Sequence, residues 1–124
     1  MNNEVFEKEC VKLIGDATQN IMKSKGREYA GNDDRLANFK RGAANVGVNP
    51  ETVLFIYLSK HWDSISTFIK DLEKEKRFDA VSNGLSEPIQ ERLKDALNYI
   101  LLLNGLLVER KQYEDNSIPP RGTH

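Results

Sequence analysis

Sixteen residues hold the densest set of groups in this chain that could grip a nucleotide. They read Lys25-Gly26-Arg27-Glu28-Tyr29-Ala30-Gly31-Asn32-Asp33-Asp34-Arg35-Leu36-Ala37-Asn38-Phe39-Lys40. An arginine forks onto a phosphate, an aromatic face stacks on a base, and an asparagine amide reads a base edge. The same residues also suit a polar loop whose aspartates cap a helix and whose Phe39 packs inward. Both readings stand at this level.

Two further constellations lie downstream. In Lys60-His61-Trp62-Asp63, His61 falls on an apolar helical seam and needs a hydrogen-bond partner or must stay neutral there. Asp63 projects to nearly the opposite side, so the two do not form a local acid–base pair. Farther on, Arg92, Asp95, Tyr99, Leu103, Leu106 and Arg110 share one broad helical stripe, since spacings of three, four and seven return to one face. Arg92 and Asp95 are placed to pair. Arg110, at the end of the stripe, could hold an anion or complement the helix C-terminus.

Other chemistries lack their residues. There is no glycine loop followed by Lys-Ser/Thr, no Cys-x-x-Cys and no His-x-x-x-His. Glu4-x-x-Glu7 sits in the first turn of a helix, where the dipole favours acids, and no Glu-x-x-Asp partner follows it on the third helix. One cysteine, Cys10, excludes an internal disulfide, and with only 2 histidines a zinc site is not expected. Neither a catalytic nor a metal-ligating set is therefore assigned, and no cofactor is implied. With 18 Lys+Arg against 19 Asp+Glu, the net charge of −1 argues against a footprint for duplex nucleic acid or an anionic membrane. No run approaches the roughly 18 apolar residues of a membrane span. The polar Met1-Asn2-Asn3-Glu4-Val5 does not read as a signal peptide.

The elements that must position these groups are helices. A chain of 124 residues fits one domain, expected here over residues 1–115 with an extended tail over 116–124. Four segments carry helical periodicity and none a strand alternation. The first runs from about Asn3 to Lys25, with Phe6, Cys10, Leu13, Ala17 and Ile21 on its apolar face and Gly26 as its C-cap; Cys10 is thus expected as a buried thiol. Asp33 or Asp34 can cap a short second helix that stops at Gly47. Asn49-Pro50 restarts the chain, a capping residue before a proline at the first helical position. The third helix follows, with Leu54, Leu58, His61, Ile65, Phe68 and Leu72 as its seam. Phe78 to Gly84 reads as a loop, and Ser86 starts the last helix.

That last helix is apolar nearly all round. Ile89, Leu93, Ala96, Ile100, Leu103 and Leu107 form one seam, while Leu97, Leu101, Leu102, Leu106 and Val108 fill the remaining circumference. Either it faces another copy of the chain, with Leu102 and Leu106 among the contacts, or it is a central helix wrapped by the other three. The expected fold is an all-α bundle of about four helices in a homo-oligomer. From Tyr113 onward the chain has no core-forming pattern. If Ile118 to His124 closes as a lid over a ligand, stiffened by Pro119 and Pro120, Arg121 comes near a phosphate. The alternative is a tail ordered by crystal packing alone.

The set Lys25 to Gly31, Asp33-Asp34-Arg35, Asn38-Phe39 and, downstream, Ser86-Glu87-Pro88-Ile89 with Asp95 and Asn98-Tyr99 resembles small helical phage proteins of the nucleotide-modification-associated neighbourhood. Within it the chain most resembles the first family of Thoeris anti-defence proteins, over roughly Ile21 to Arg110. Those proteins capture, without cleaving it, the cyclic ADP-ribose signal made by bacterial TIR-domain enzymes. They act as symmetric oligomers built from dimers, and some also hold cyclic oligonucleotides at a separate site. The resemblance implies a ligand pocket containing Arg27, Tyr29, Asn38, Phe39, Asp95, Asn98 and Tyr99, with Arg110 as a phosphate contact. It implies glycocyclic ADP-ribose as ligand, self-association as a dimer or trimer of dimers, and action in the cytoplasm of an infected bacterial host.

Three functions compete on these residues. A non-catalytic sponge accounts for arginines, aromatics and Asn without a metal-binding acid set or nucleophile, and must bind tightly to outcompete a receptor. A Mg²⁺-dependent all-α nucleotide pyrophosphohydrolase would need acids on neighbouring helices that the chain lacks. A purely structural helical assembly would explain the greasy last helix but not the Arg27 to Phe39 cluster.

Overall fold

A computed structural model describes residues 1–23 and 34–117. Among these, every regular element is a helix: α1 (Asn3–Lys23), α2 (Ala37–Val46), α3 (Pro50–Glu75), α4 (Phe78–Ser82) and α5 (Ile89–Ser117). The long helices α3 and α5 pack along each other, α1 lies against α5, α2 against α3, and α4 against α3.

Local chemistry sets most of the ends. Asn2 caps α1 by accepting the Val5 N–H at 2.9 Å, satisfying one of the orphan donors of the first turn. At the other end of α1, the Arg35 guanidinium donates to the carbonyls of Ile21 at 2.8 Å and Met22 at 3.1 Å, a cation where the dipole is negative. Arg35 thereby ties the approach to α2 onto the end of α1, and Gly26 lies outside the described residues. Asp34 acts upstream of α2 by accepting the Leu36 N–H at 2.9 Å. Gly47 ends α2 with φ of 74°, its N–H on the Ala43 carbonyl, the left-handed conformation that glycine adopts without a Cβ penalty. Asn49 and Pro50 open α3 as the N-cap and first residue.

Two stretches depart from the sequence reading. Phe78–Ser82 is a short helix rather than a loop. Val81 buries with Phe68 and Ile89 in a cluster flanked by Leu72 and Leu85, and Phe78 meets the Phe68 ring edge-on at 5.8 Å. Five residues are too few to show a helical period, so packing against α3 holds a turn that propensity alone would not. At its start α5 begins at Ile89, with Pro88 offering its carbonyl to the Glu91 N–H. At its end it runs through Ser117, beyond the Tyr113 and residue-115 boundaries read from apolar pattern. Lys111–Asp115 at 2.7 Å and Arg110–Glu114 at 3.9 Å are i,i+4 pairs that support a helix whose end has no buried face.

The core is lean. Four of the buried apolar residues are alanines, and the larger ones described are Leu54, Phe68, Val81, Ile89 and Leu106. Among the α1 residues whose burial is described only Ala17 is buried; Cys10 is half-buried, and Phe6 is 56% exposed, so the expected burial of this face holds at Ala17 and fails toward the N-terminus. The two alternatives for the last helix both apply in part. Leu106, offered above as an intermolecular contact, is 2% exposed within its own chain, because it sits on the α5 stripe shared with Tyr99 and Arg110, the side that meets α3. Another face of α5 stays bare.

Candidate functional site

Three helices bring four rings together. Phe39 stands in the first turn of α2, Tyr57 and His61 lie four residues apart on α3, and Tyr99 lies on α5. Tyr57 and Tyr99 are nearly parallel, 7° apart with centroids at 6.0 Å. Phe39 meets both edge-on, at 6.3 Å and 6.5 Å, the geometry that ring quadrupoles favour. His61 tilts against Tyr99 at 4.9 Å. This contact answers the seam histidine: the imidazole packs on a ring across the α3–α5 interface. Asp63 is exposed, as its helical position requires.

Tyr99 and Tyr57 differ in what they offer. Burial pushes the Tyr99 hydroxyl above its ordinary value, and the nearby Asp95 carboxylate and Tyr57 push the same way; one ring of its surroundings is Tyr57 and another His61. Tyr57 is 44% exposed and has the Lys60 ammonium 5.7 Å from its ring centroid. The outward aromatic surface beside a cation is therefore Tyr57. No reading of the sequence singled it out, although its spacing of four from His61 was available, because Tyr57 falls off the apolar seam.

The predicted site residues other than Arg110 divide into three groups. Phe39 and Tyr99 are in ring contact, with Asp95 one turn before Tyr99 on the same helix. Asn38, next to Phe39, accepts a hydrogen bond from Arg41. Asn98 is buried, and its Oδ1 has no hydrogen-bond partner among the described residues, so it is a polar atom in want of a donor. Arg27, Tyr29 and Arg121 lie outside the described residues.

Arg110 is held by its own chain. Its Nε and Nη2 donate to the two carboxylate oxygens of Glu51, both at 2.8 Å, a bidentate fork joining the C-terminal half of α5 to the first turn of α3. The remaining nitrogen, Nη1, lies 3.9 Å from Glu114, so an anion could reach this guanidinium only beside that carboxylate. A second tie runs parallel: the Lys40 ammonium lies 2.7 Å from both Asp34 and Glu109. Burial opposes the Lys40 charge, but the two carboxylates outweigh it and raise its pKa. The hydrogen bond from Lys40 holds Asp34 below its ordinary value. Arg92 does not take Asp95, its neighbour three residues on; it reaches back to Glu87 at 3.9 Å, beyond the helix start, where the acid is free of the helical repeat.

The Arg110–Glu51 fork makes stability depend on pH. The hydrogen bond from Arg110 lowers the Glu51 pKa against a smaller opposing effect of burial. A carboxyl with a depressed folded-state pKa stabilises above its ordinary value of 4.5, and that contribution is lost as pH falls through the lower folded value. The native chain should therefore melt higher than Glu51→Gln at pH 7, and the gap should close as pH drops below 4.5. A gap that is constant from pH 7 to pH 3 would show that the charge of Glu51 contributes nothing.

Among the described residues no group of three or more His, Cys, Asp or Glu side chains could hold a metal ion, and no helix is long and apolar enough to cross a membrane. What the arrangement can do is offer flat aromatic surface, amides and cations at one junction of α2, α3 and α5. Compared with protein-family models, with curated proteins and with solved structures, the chain finds no match in any of the three.

Proposed function

We propose that this protein is a non-catalytic sponge for a signalling nucleotide of the cyclic ADP-ribose type, made by TIR-domain enzymes, and that it blocks Thoeris immune signalling in the host cytoplasm. The observation that carries this reading is the Phe39–Tyr57–His61–Tyr99 cluster, in which Tyr57 is 44% exposed and the Lys60 ammonium lies over its ring. Adenine stacks on such a face, and each base–aromatic stack contributes about 1–3 kcal/mol. The diphosphate is taken by Arg27 and Arg121 together with Arg110, whose Nη1 must then leave Glu114, and Asn38, Asn98 and Tyr29 complete the pocket. The protein works as a homo-oligomer built from dimers. The resemblance to the anti-defence family supports this ligand class, and the missing Glu-x-x-Asp on α3 tells against a Mg²⁺-dependent pyrophosphohydrolase.

One incubation tests it. Glycocyclic ADP-ribose mixed with excess protein should vanish from the filtrate and return intact after heat denaturation. Conversion of the nucleotide would overturn the sponge in favour of an enzyme, and no depletion would overturn nucleotide binding altogether. Tyr57→Ala should raise the Kd by roughly 5- to 150-fold, the equivalent of the lost stack, with helix content unchanged. Unaltered affinity in that variant would remove Tyr57 from the site.

A further inference from the structure

Several cations of this fold are already spent. Arg110 holds Glu51, Lys40 bridges Asp34 and Glu109, and Arg35 holds the carbonyls at the end of α1. Lys60 differs from all of these. It follows Tyr57 by three residues on α3, on the same side of the helix, and its ammonium stands 5.7 Å from the centre of that ring. The residue is exposed, and among the described residues no carboxylate pairs with it. Its one contact is with the π-surface of Tyr57, which holds a cation only weakly where water reaches the charge.

A base that stacks on Tyr57 competes with the ammonium for the same π-surface. The displaced charge has little to turn to on its own helix. Asp63 is exposed and makes no pair with it, and one turn on stands Ser64, which is uncharged. A nucleotide supplies the missing partner itself, because its phosphate is tied covalently to the base that takes the ring. The flexible four-carbon stem of lysine lets the ammonium follow that phosphate. The exchange replaces a weak contact with a charge-assisted hydrogen bond, about twice as strong as a neutral one. A nucleoside takes the ring and returns nothing. Arg110 is less well placed for this step, since it lies eleven residues beyond Tyr99, about 16 Å of helix, and is engaged by Glu51.

We propose that Lys60 is the residue by which this site tells a nucleotide from a nucleoside: its ammonium covers the Tyr57 ring in the free protein and passes to the ligand's phosphate when the base stacks. The assignment rests on the sponge reading and names a phosphate contact for it at the base end of the pocket.

Two ligands and two variants test it. Lys60→Met keeps most of the stem and removes the charge from an exposed position. By calorimetry it should raise the Kd for glycocyclic ADP-ribose by about 10- to 150-fold, the equivalent of one hydrogen bond to a charged group. Adenosine should bind the variant as well as it binds the native chain, or better, because the ring is no longer covered. Lys60→Arg should restore most of the affinity for the cyclic nucleotide. Equal losses for both ligands would make Lys60 a support for Tyr57 and overturn the proposal. If adenosine binds too weakly to titrate, Lys60→Arg decides alone: an arginine that restores nothing overturns the role of charge. A cyclic nucleotide that is lost in Tyr57→Ala but bound normally by Lys60→Met would sink the Lys60 contact and leave the sponge standing. Conversion of the nucleotide on incubation, with binding weakened in Lys60→Met and restored in Lys60→Arg, would sink the sponge and leave the contact standing. A native chain that binds neither ligand would overturn both.

Discussion

Leu54→Ala should lower the unfolding free energy by about 2–5 kcal/mol, the range for a leucine removed from a packed core. Leu54 is 0% exposed and is the largest side chain so fully enclosed among the described residues. It sits at the N-terminal end of the α3 seam, between Glu51, which holds Arg110, and Tyr57, which stacks with Tyr99. The loss would be a large share of the roughly 5–15 kcal/mol that domains possess, because so few other large side chains are buried here. Urea denaturation would read it as a shifted midpoint at unchanged slope. A loss under 1 kcal/mol would mean that α3 and α5 close over the gap, and that the α3–α5 contact is not the rigid part of the fold. The same variant should also loosen the aromatic cluster, visible as a change in near-ultraviolet dichroism.

Asn98→Leu should do the opposite to stability. Asn98 is 6% exposed and its Oδ1 is buried without a hydrogen-bond partner among the described residues. A buried polar atom left unpaired costs about 1–3 kcal/mol, and leucine has the same branched shape and number of side-chain heavy atoms without that penalty, though its methyl groups need more room. The variant should therefore gain stability of that order, a direction seen for few core substitutions. If Asn98 is retained for the ligand, the gain should come with weakened binding of glycocyclic ADP-ribose, the trade expected where a site is kept at the expense of the fold. A variant less stable than the native chain would show that the amide is paired in solution. A more stable variant with unaltered binding would take Asn98 out of the pocket while leaving the packing account intact.

Both effects arise where sequence pattern and three-dimensional packing part company. The helical class, the break at Gly47 and the restart at Asn49-Pro50 were legible in the chain because each rests on a local rule. Left-handed φ selects glycine, a proline opens a helix, and a seam of four and three marks the buried side of α3. Phe39 and Tyr99 were legible as candidates because their residue types announce stacking. What local rules cannot carry is which rings meet. Tyr57 lies off the seam by one helical step, and only the approach of α2 and α5 to α3 turns it into the exposed member of a four-ring cluster. Arg110 looked like a cation free for a phosphate, yet Glu51, 59 residues away in sequence, takes two of its donors. The short helix Phe78–Ser82 exists through the burial of Val81 against Phe68 and Ile89, a contact between segments that no window of sequence contains. The last helix shows the division most plainly. Its composition alone told that it was too apolar to be an ordinary surface helix, whereas the positions of α1 and α3 decided which stripe is buried and which, from Leu93 to Leu107, is left for another surface to cover. Spacing along a chain sets the faces a helix has; only its neighbours, brought from distant sequence, determine which of those faces meet water.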